Sequence, residues 1–178
     1  MELFGTSHVF KEVKFFKGKF IPDDRGYFKK PFYGDNLQKN FNKINEILVS
    51  HSKKDVIRGL HFQLPPHGVE KFICCVNGKV KDVFVDLRKN SSTYGEHDSI
   101  YLDNEKNISV MIPLGFAHGF SVLSNEATVL YLQSGNFDEN ADTGIYSLDL
   151  GIDWEVDHGI LSEKDKDLIK FQDFETPW

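Results

Sequence analysis

Short apolar or alternating runs of residues dominate this sequence, and Gly, Asn, Asp and Pro interrupt them at short intervals. This pattern is typical of an antiparallel sandwich or barrel. Strands are predicted at residues 9–16, 47–52, 58–63, 71–76, 79–86, 99–102, 109–112, 117–123 and 128–133. Asn77-Gly78 lies between two of these runs and predicts a two-residue hairpin turn.

Helical periodicity is scarce in this chain. It is limited to a predicted turn at residues 35–41 and to a short segment after Ser162, where Ser-Glu-Lys-Asp is typical of a capped helix N-terminus. The sequence therefore predicts an all-β protein with few short helices. Its 178 residues fit one domain, residues 1–178, which is long enough to bury a core without metal or disulfide bonds. Cys74 and Cys75 adjoin in a predicted strand and point to opposite faces, so we expect no disulfide between them.

The charge balance limits the kinds of partner that this protein can have. The chain carries 21 Lys and Arg against 27 Asp and Glu, a formal net charge of -6. This excess of acid argues against a general binder of nucleic acid or of anionic membranes. The chain has no basic segment leading into an apolar run, and no stretch approaches the roughly 20 apolar residues of a membrane span. We therefore expect a cytoplasmic protein.

Three polar side chains interrupt the predicted strands where a core would be apolar. His61 and Gln63 share one face of their strand by the two-residue period, and Lys71 alternates in phase with Ile73 and Cys75. A neutral imidazole with a pKa near the working pH is the usual general base. A fixed ammonium directed at a carbonyl oxygen would stabilise the enolate that forms when a neighbouring proton is removed. The pattern favours proton abstraction next to a ketone.

The order of these motifs resembles one family of nucleotide-sugar enzymes. Arg-Gly-Leu-His-Phe-Gln at residues 58–63 precedes Lys71, Asp-Val-Phe-Val-Asp-Leu-Arg at 82–88 and Ile-Pro-Leu-Gly-Phe-Ala-His-Gly-Phe at 112–120. From about residue 24 to residue 165 the chain is similar to the dTDP-4-dehydrorhamnose 3,5-epimerases. The resemblance implies a double-stranded β-helix jelly roll of the cupin type. It also implies a homodimer that epimerises a nucleoside-diphosphate 4-keto sugar without a cofactor, for cell-surface polysaccharide.

The resemblance also implies roles for individual residues. His61 would be the base, paired with the aspartate of Ser162-Glu163-Lys164-Asp165, while Lys71 would stabilise the enolate and Tyr131 would act as the acid on the opposite face. Supporting and substrate-binding roles fall to Arg25, Phe28, Arg58, Gln63, Asp82 and His118. Two of these are arginines, whose guanidinium groups suit the geometry of phosphate.

The sequence departs from the family pattern at three places. Lys30 stands where the family commonly has a glutamate, and Glu46-Ile47-Leu48 stands where it often has Gln-x-Asn. Lys30 offers only hydrogen-bond donors, which suit the O6/N7 edge of guanine, and Glu46 could accept from guanine's N–H groups. These two positions predict that GDP binds about tenfold more tightly than dTDP. Phe137 replaces a second tyrosine, which leaves open whether C3 and C5 both invert or C3 alone.

Three other functions are compatible with these motifs. A metal-dependent cupin could use His61, Glu70 and His118, but its first motif needs His-x-His and this chain has His61-x-Gln63. An amide oxygen is a poor substitute for imidazole on a transition metal. No G-x-G-x-x-G motif follows a strand, so neither a metal nor NAD is expected. A 3,4-ketoisomerase of a nucleotide sugar and a non-catalytic sugar-nucleotide binding module of the same fold are the remaining alternatives.

Overall fold

A computed structural model describes residues 1–41 and 43–178, and most of the fold is two antiparallel sheets. The first sheet has six strands in the order β1-β2-β10-β7-β12-β5. Their bounds are β1 Glu2–Thr6, β2 Lys14–Lys17, β5 Glu46–Lys53, β7 Lys71–Asn77, β10 Ile108–Ile112 and β12 Glu126–Gln133. Neighbouring strands of this sheet are antiparallel throughout, as the alternating pattern predicts.

The second sheet has five strands in the order β13-β6-β11-β8-β9. Their bounds are β6 Ile57–Gln63, β8 Lys79–Asp86, β9 His97–Asp103, β11 Phe116–Val122 and β13 Asp142–Gly144. Strand β11 is buried along its whole length, and β8 is buried over most of its length. These two strands lie in the interior of the sheet, and their apolar side chains, such as Phe84 and Phe120, are buried in the core.

The remaining elements lie outside the two sheets. Strands β3, Lys19–Asp23, and β4, Gly26–Lys30, form a separate two-stranded hairpin. Helix α1 spans Asp35–Asn40, helix α2 spans Glu163–Lys166, and a 3-10 helix spans Phe171–Asp173. No helix among residues 1–41 and 43–178 is both long enough and apolar enough to cross a membrane.

The two sheets face each other across a shared apolar core. Ile73 and Val129 from the six-stranded sheet belong to the same buried cluster as Phe84 and Phe120 from the five-stranded sheet. Phe10 completes it, with its ring edge-on to that of Phe116 at 5.2 Å between centroids. This packing fixes the distance between the sheets, so inward side chains at one end can meet around a cavity.

Two of the expectations from sequence are wrong. Residues 9–16 were predicted as one strand, but the strand begins only at Lys14, because the Ser7 hydroxyl accepts hydrogen bonds from the backbone N–H groups of Val9 and Phe10 and turns the chain. Asn77-Gly78 does not close a hairpin. It joins β7 to β8, which lie in different sheets.

The turn at Gly78 is instead a corner between the two sheets. Its φ is +76°, and a Cβ placed there would lie 2.0 Å from the carbonyl oxygen of Glu126. Only glycine fits such a close backbone approach in this conformation. The dipeptide signal therefore located the turn correctly but assigned the wrong pairing. Cys74 and Cys75 are both buried and free, as predicted.

Candidate active site

A cavity of about 450 Å³ opens between the two sheets, within the usual size range of small-molecule sites. The polar residues on its wall come from both sheets. They are Ser50, His51, Arg58, His61, Lys71, His118, Tyr131, Gln133 and Asp142. Five of the predicted site residues, His61, Lys71, Tyr131, Arg58 and His118, are thus brought together on one surface.

His61 is held in one orientation by Asp165. The imidazole Nε2 lies 2.6 Å from Asp165 Oδ1, although the two residues are 104 positions apart in the sequence. Ser162 caps helix α2 by accepting a hydrogen bond from the backbone N–H of Asp165, which fixes the buried carboxylate against β6. An ionised carboxylate requires that Nε2 carry the proton, so Nδ1 is left as the basic nitrogen.

Asp165 is suited to remain ionised in this position. Burial opposes its ionisation, but the hydrogen bond from His61 and its other hydrogen bonds together hold the pKa of Asp165 below its ordinary value. A carboxylate that stays charged can stabilise the imidazolium formed when His61 takes a proton.

Lys71 lies beside His61 on the wall of the cavity. It is the first residue of β7, and its Nζ donates a hydrogen bond to the backbone carbonyl oxygen of His61 at 3.2 Å. Burial lowers the pKa of Lys71 to about 8, and the negative charges of Asp142 and Asp82 oppose that effect. The side chain is therefore mostly an ammonium at neutral pH, directed into the cavity next to the candidate base.

Tyr131 faces the cavity from the sheet opposite to His61. It lies on β12 of the six-stranded sheet, whereas His61 lies on β6 of the five-stranded sheet. Burial raises the pKa of Tyr131 well above its ordinary value, and Asp82 raises it further. The phenol is therefore neutral and protonated at physiological pH, as a proton donor must be.

His118 lies on the cavity wall and forms a second buried pair with Asp82, which lies behind it. The imidazole Nε2 of His118 lies 2.9 Å from Asp82 Oδ2, and the ring contacts that of Tyr131 edge-on at 6.0 Å between centroids. Burial lowers the pKa of His118 in spite of Asp82. His118 is also the Cα partner of His61 across β11 and β6. The pair therefore supports both the strand that carries His61 and the ring of Tyr131.

Arg58 marks one end of the cavity. Its Nε donates to the Ser52 hydroxyl at 2.8 Å and its Nη2 to the carbonyl oxygen of His51 at 3.3 Å. These contacts with β5 hold the guanidinium in place. Neither partner is acidic, so the charge of Arg58 is available to an anionic ligand.

Three predicted substrate-binding residues lie outside this cavity, on the β3–β4 hairpin. The Arg25 side chain is 89% exposed and pairs with Asp23 at 2.7 Å. Phe28 is 56% exposed, and Lys30 Nζ lies 5.8 Å from the centroid of its ring. The hairpin forms no ladder with either sheet, which explains why its side chains do not reach the cavity of the same chain.

Gln63 and Glu46 also make contacts within the protein. The Gln63 amide donates to the carbonyl oxygens of His67 and Asn136 and accepts from the backbone N–H of Asp138. A Glu46 carboxylate oxygen accepts from the backbone N–H of Phe137 at 2.9 Å. Both side chains thus hold the loop after β12, and neither lines the cavity.

Four polar cavity residues were not identified from the sequence: Ser50, His51, Gln133 and Asp142. Gln133 lies two positions after Tyr131, so the two-residue period of β12 could have placed it on the same face. Asp142 follows a polar loop and reaches the cavity only because β13 pairs with β6, opposite Gln63. Its carboxylate also pairs with Lys164 of α2. Among residues 1–41 and 43–178, no three His, Cys, Asp or Glu side chains are grouped as a metal site would require.

Comparisons with known proteins agree with this arrangement. Residues 8–173 match the family model described as dTDP-4-dehydrorhamnose 3,5-epimerase. The chain is 38% identical over 167 residues to a dTDP-4-dehydrorhamnose 3,5-epimerase of Shigella flexneri, covering 91% of this chain and 92% of that protein. It is 37% identical over 152 residues to a dTDP-4-dehydrorhamnose 3-epimerase of Streptomyces niveus, covering 83% and 73%.

The crystal structure of a dTDP-6-deoxy-D-glucose-3,5-epimerase of Legionella pneumophila, in complex with dTDP-4-keto-L-rhamnose, superposes with a TM-score of 0.90 at 30% identity. The match covers 98% of this chain and 95% of that one, and it confirms the predicted jelly-roll fold. The family match extends from before β2 to the end of the 3-10 helix and includes every cavity residue described above. This chain belongs to the dTDP-4-dehydrorhamnose 3,5-epimerase family.

Proposed function

We propose that this protein epimerises a nucleoside-diphosphate-linked 4-keto-6-deoxy sugar by moving a proton from one face of the ring to the other. The observation that carries the proposal is the placement of His61 and Tyr131 on opposite sheets around one cavity, with Lys71 beside the histidine. Inversion requires a base and an acid on opposite faces of the same carbon, and this arrangement supplies both.

Each catalytic step follows from a group on the cavity wall. The 4-keto group acidifies the hydrogens on the neighbouring carbons, and Nδ1 of His61 removes one of them. The negative charge that develops on the ketone oxygen is stabilised by the Lys71 ammonium. Tyr131 then donates its proton to the carbon from the other face, and the phenolate that remains regains a proton from solvent. Asp165 stabilises the imidazolium of His61 until it releases its proton to solvent.

The nucleotide is proposed to be thymidine diphosphate. Its support is the Legionella pneumophila relative, whose structure holds dTDP-4-keto-L-rhamnose, and a Bacillus anthracis relative, whose structure holds TDP. The competing choice is GDP, which the donor-only Lys30 at a position usually held by glutamate favours. Binding measurements with both nucleotides separate these two choices.

The number of inverted centres depends on the region around Phe137. Its side chain is 55% exposed at the end of the loop that Glu46 and Gln63 hold. Phenylalanine carries no proton to donate, so this position cannot assist a second protonation as a tyrosine could. The relative of Streptomyces niveus is described as a 3-epimerase, whereas that of Shigella flexneri is described as a 3,5-epimerase. Product analysis at C3 and C5 decides between these outcomes.

The protein is further proposed to be a cytoplasmic homodimer. Two regions support the dimer: the edge strand β5, where Ile47 and Val49 are each 65% exposed, and the β3–β4 hairpin with its exposed Phe28. Apolar side chains at an unpaired sheet edge favour association with a second chain. If the hairpin of one copy reaches the cavity of the other, Arg25 would join the site that it cannot reach within its own chain.

A subunit-mixing experiment tests this shared site. Arg25→Ala and His61→Asn should each be nearly inactive alone, while reassociated mixtures should restore activity to about a quarter of the sites. If mixtures that form heterodimers recover no activity, Arg25 does not act in the cavity of the partner chain.

The reaction type itself is tested by product analysis. NMR of the reaction mixture distinguishes epimerisation, which leaves the ketone at C4, from ketoisomerisation, which moves it to C3. Dialysis against EDTA tests the metal-dependent alternative, and loss of activity that a divalent metal restores would favour it. The product would enter deoxysugar assembly for cell-surface polysaccharide.

A further inference from the structure

Gln133 presents an amide to the cavity that the protein itself hardly uses. The residue is 8% exposed, and it shares the inward face of β12 with Tyr131. The side-chain amide makes one hydrogen bond to the described residues, from Nε2 to the carbonyl oxygen of Gly135 at 3.5 Å, the outer limit for such a bond. A buried amide normally satisfies its donors and acceptor. Gln133 therefore has hydrogen-bonding capacity directed at a ligand.

The position of Gln133 along the cavity indicates which part of the ligand it meets. In the ladder between β5 and β12, His51 pairs with Thr128, and Glu46 pairs with Gln133 at the end of the ladder. These two pairs are five residues apart, or about 16 Å along the strand. Arg58 is bound to His51 and Ser52 at the first pair, whereas Lys71 is the Cα partner of Gln133 on β7 at the second.

The positions of these residues distinguish the two ends of the cavity. The arginine, as the candidate phosphate ligand, lies at one end, and Lys71 with Gln133 lies at the far end. In a pyranose linked through C1, the ketone at C4 is the ring position farthest from the diphosphate. Lys71 and Gln133 are therefore placed at the ketone and its immediate neighbours, an assignment that rests on the function proposed above.

We propose that Gln133 is a specificity-determining residue whose amide binds the hydroxyl at C3 of the sugar. Of the two carbons next to C4, C5 carries a methyl group and the ring oxygen in a 6-deoxy sugar and C3 carries a hydroxyl, so only the C3 side offers a donor to the amide oxygen. The Oε1 of Gln133 accepts from this hydroxyl, while Lys71 holds the adjacent ketone oxygen. A site built to bind a hydroxyl discriminates against the analogue that lacks it.

Calorimetric binding tests this assignment without depending on turnover. The ligands are the nucleoside-diphosphate 6-deoxyglucose, with the nucleotide that the protein prefers, and its 3-deoxy analogue. We expect the wild type to bind the 3-hydroxy ligand about tenfold more tightly, the ratio that one neutral hydrogen bond gives. Gln133→Met keeps the length and volume of the side chain but removes the amide, and it should bind both ligands equally.

Gln63→Met is the matched control, since its amide is bonded to the loop after β12 and does not line the cavity. This variant should lower the melting temperature yet keep the tenfold preference. A wild type without preference, or a Gln133→Met variant that retains it, overturns the assignment of Gln133. Failure of the wild type to bind either ligand overturns the proposed function instead, and the inference with it.

Discussion

The Nε2 of His61 and the Oδ1 of Asp165 lie 2.6 Å apart and join the cavity wall to helix α2. The two ring nitrogens of His61 therefore have different roles. Nε2 donates to the carboxylate and cannot also be the base, so Nδ1 is the basic nitrogen. Asp165→Asn should therefore lower kcat by about 10²-fold to 10⁴-fold while substrate binding changes little. Steady-state kinetics with separate KM values provides the measurement. A kcat within a few-fold of wild type would leave Asp165 only a structural role, the attachment of helix α2 to β6.

The charge of Lys71 predicts how activity changes at alkaline pH. Its pKa is lowered to about 8 by burial, and the enolate needs the protonated form, so activity should fall as the pH rises through that value. Lys71→Arg carries a guanidinium that stays protonated, so any residual activity should lack this decline. The check is a profile of kcat/KM against pH for both proteins, because this ratio reports groups in the free enzyme. A wild-type kcat/KM that is level from about pH 8 to about pH 10 would contradict the role.

Tyr131 should be separable from the base by one substitution. With His61 intact, Tyr131→Phe should still exchange the substrate proton with solvent, while formation of the inverted product falls sharply, because no donor remains on the opposite face. Tyr101→Phe is a suitable control, since that phenol lies on the surface and bonds Glu155. Normal epimerisation by Tyr131→Phe would show that this tyrosine only packs against His118.

Nucleotide preference distinguishes the family substrate from the alternative based on Lys30. The thymidine assignment predicts that dTDP binds more tightly than GDP, and the sequence departure at Lys30 and Glu46 predicts a tenfold preference of the opposite sign. Lys30→Glu, which restores the residue common in the family, should shift binding towards dTDP in either case. Titration calorimetry of both proteins with both nucleotides measures these ratios. If Lys30→Glu leaves the ratio of the dTDP and GDP affinities unchanged, the β3–β4 hairpin is not part of the nucleotide site.

The predictions from sequence were most accurate where local periodicity decides the structure. Strand β8 was predicted with its observed bounds, because the turn at Asn77-Gly78 precedes it and the apolar residues Val83-Phe84-Val85 lie near its end. The hairpin β3–β4 was missed, since its exposed, mixed sequence has no strong alternation, and the corner at Gly78 was assigned the wrong pairing. Turn residues specify where a chain bends, but the pairing of strands depends on contacts that are distant in the sequence.

The same limit applies to the candidate site. His61 and Lys71 stand out as polar residues on otherwise apolar strands, whereas the partner of His61 lies 104 residues away and was proposed only through the family resemblance. Asp142 reaches the cavity through the pairing of a three-residue strand that no sequence signal predicts. Arg25, which the resemblance assigned to the substrate, is on the exposed hairpin, a position that only an assembly of two chains could bring to the cavity.

In the proposed mechanism, His61 removes a proton next to the ketone. This role is tested most directly by incubating the protein with a nucleoside-diphosphate 4-keto-6-deoxy sugar in deuterium oxide and locating the incorporated deuterium by NMR. We predict deuterium at C3, at C5 or at both with the wild-type protein, and at least about 10²-fold slower incorporation with His61→Asn. Incorporation at the wild-type rate in His61→Asn, or none with the wild type, would contradict this account.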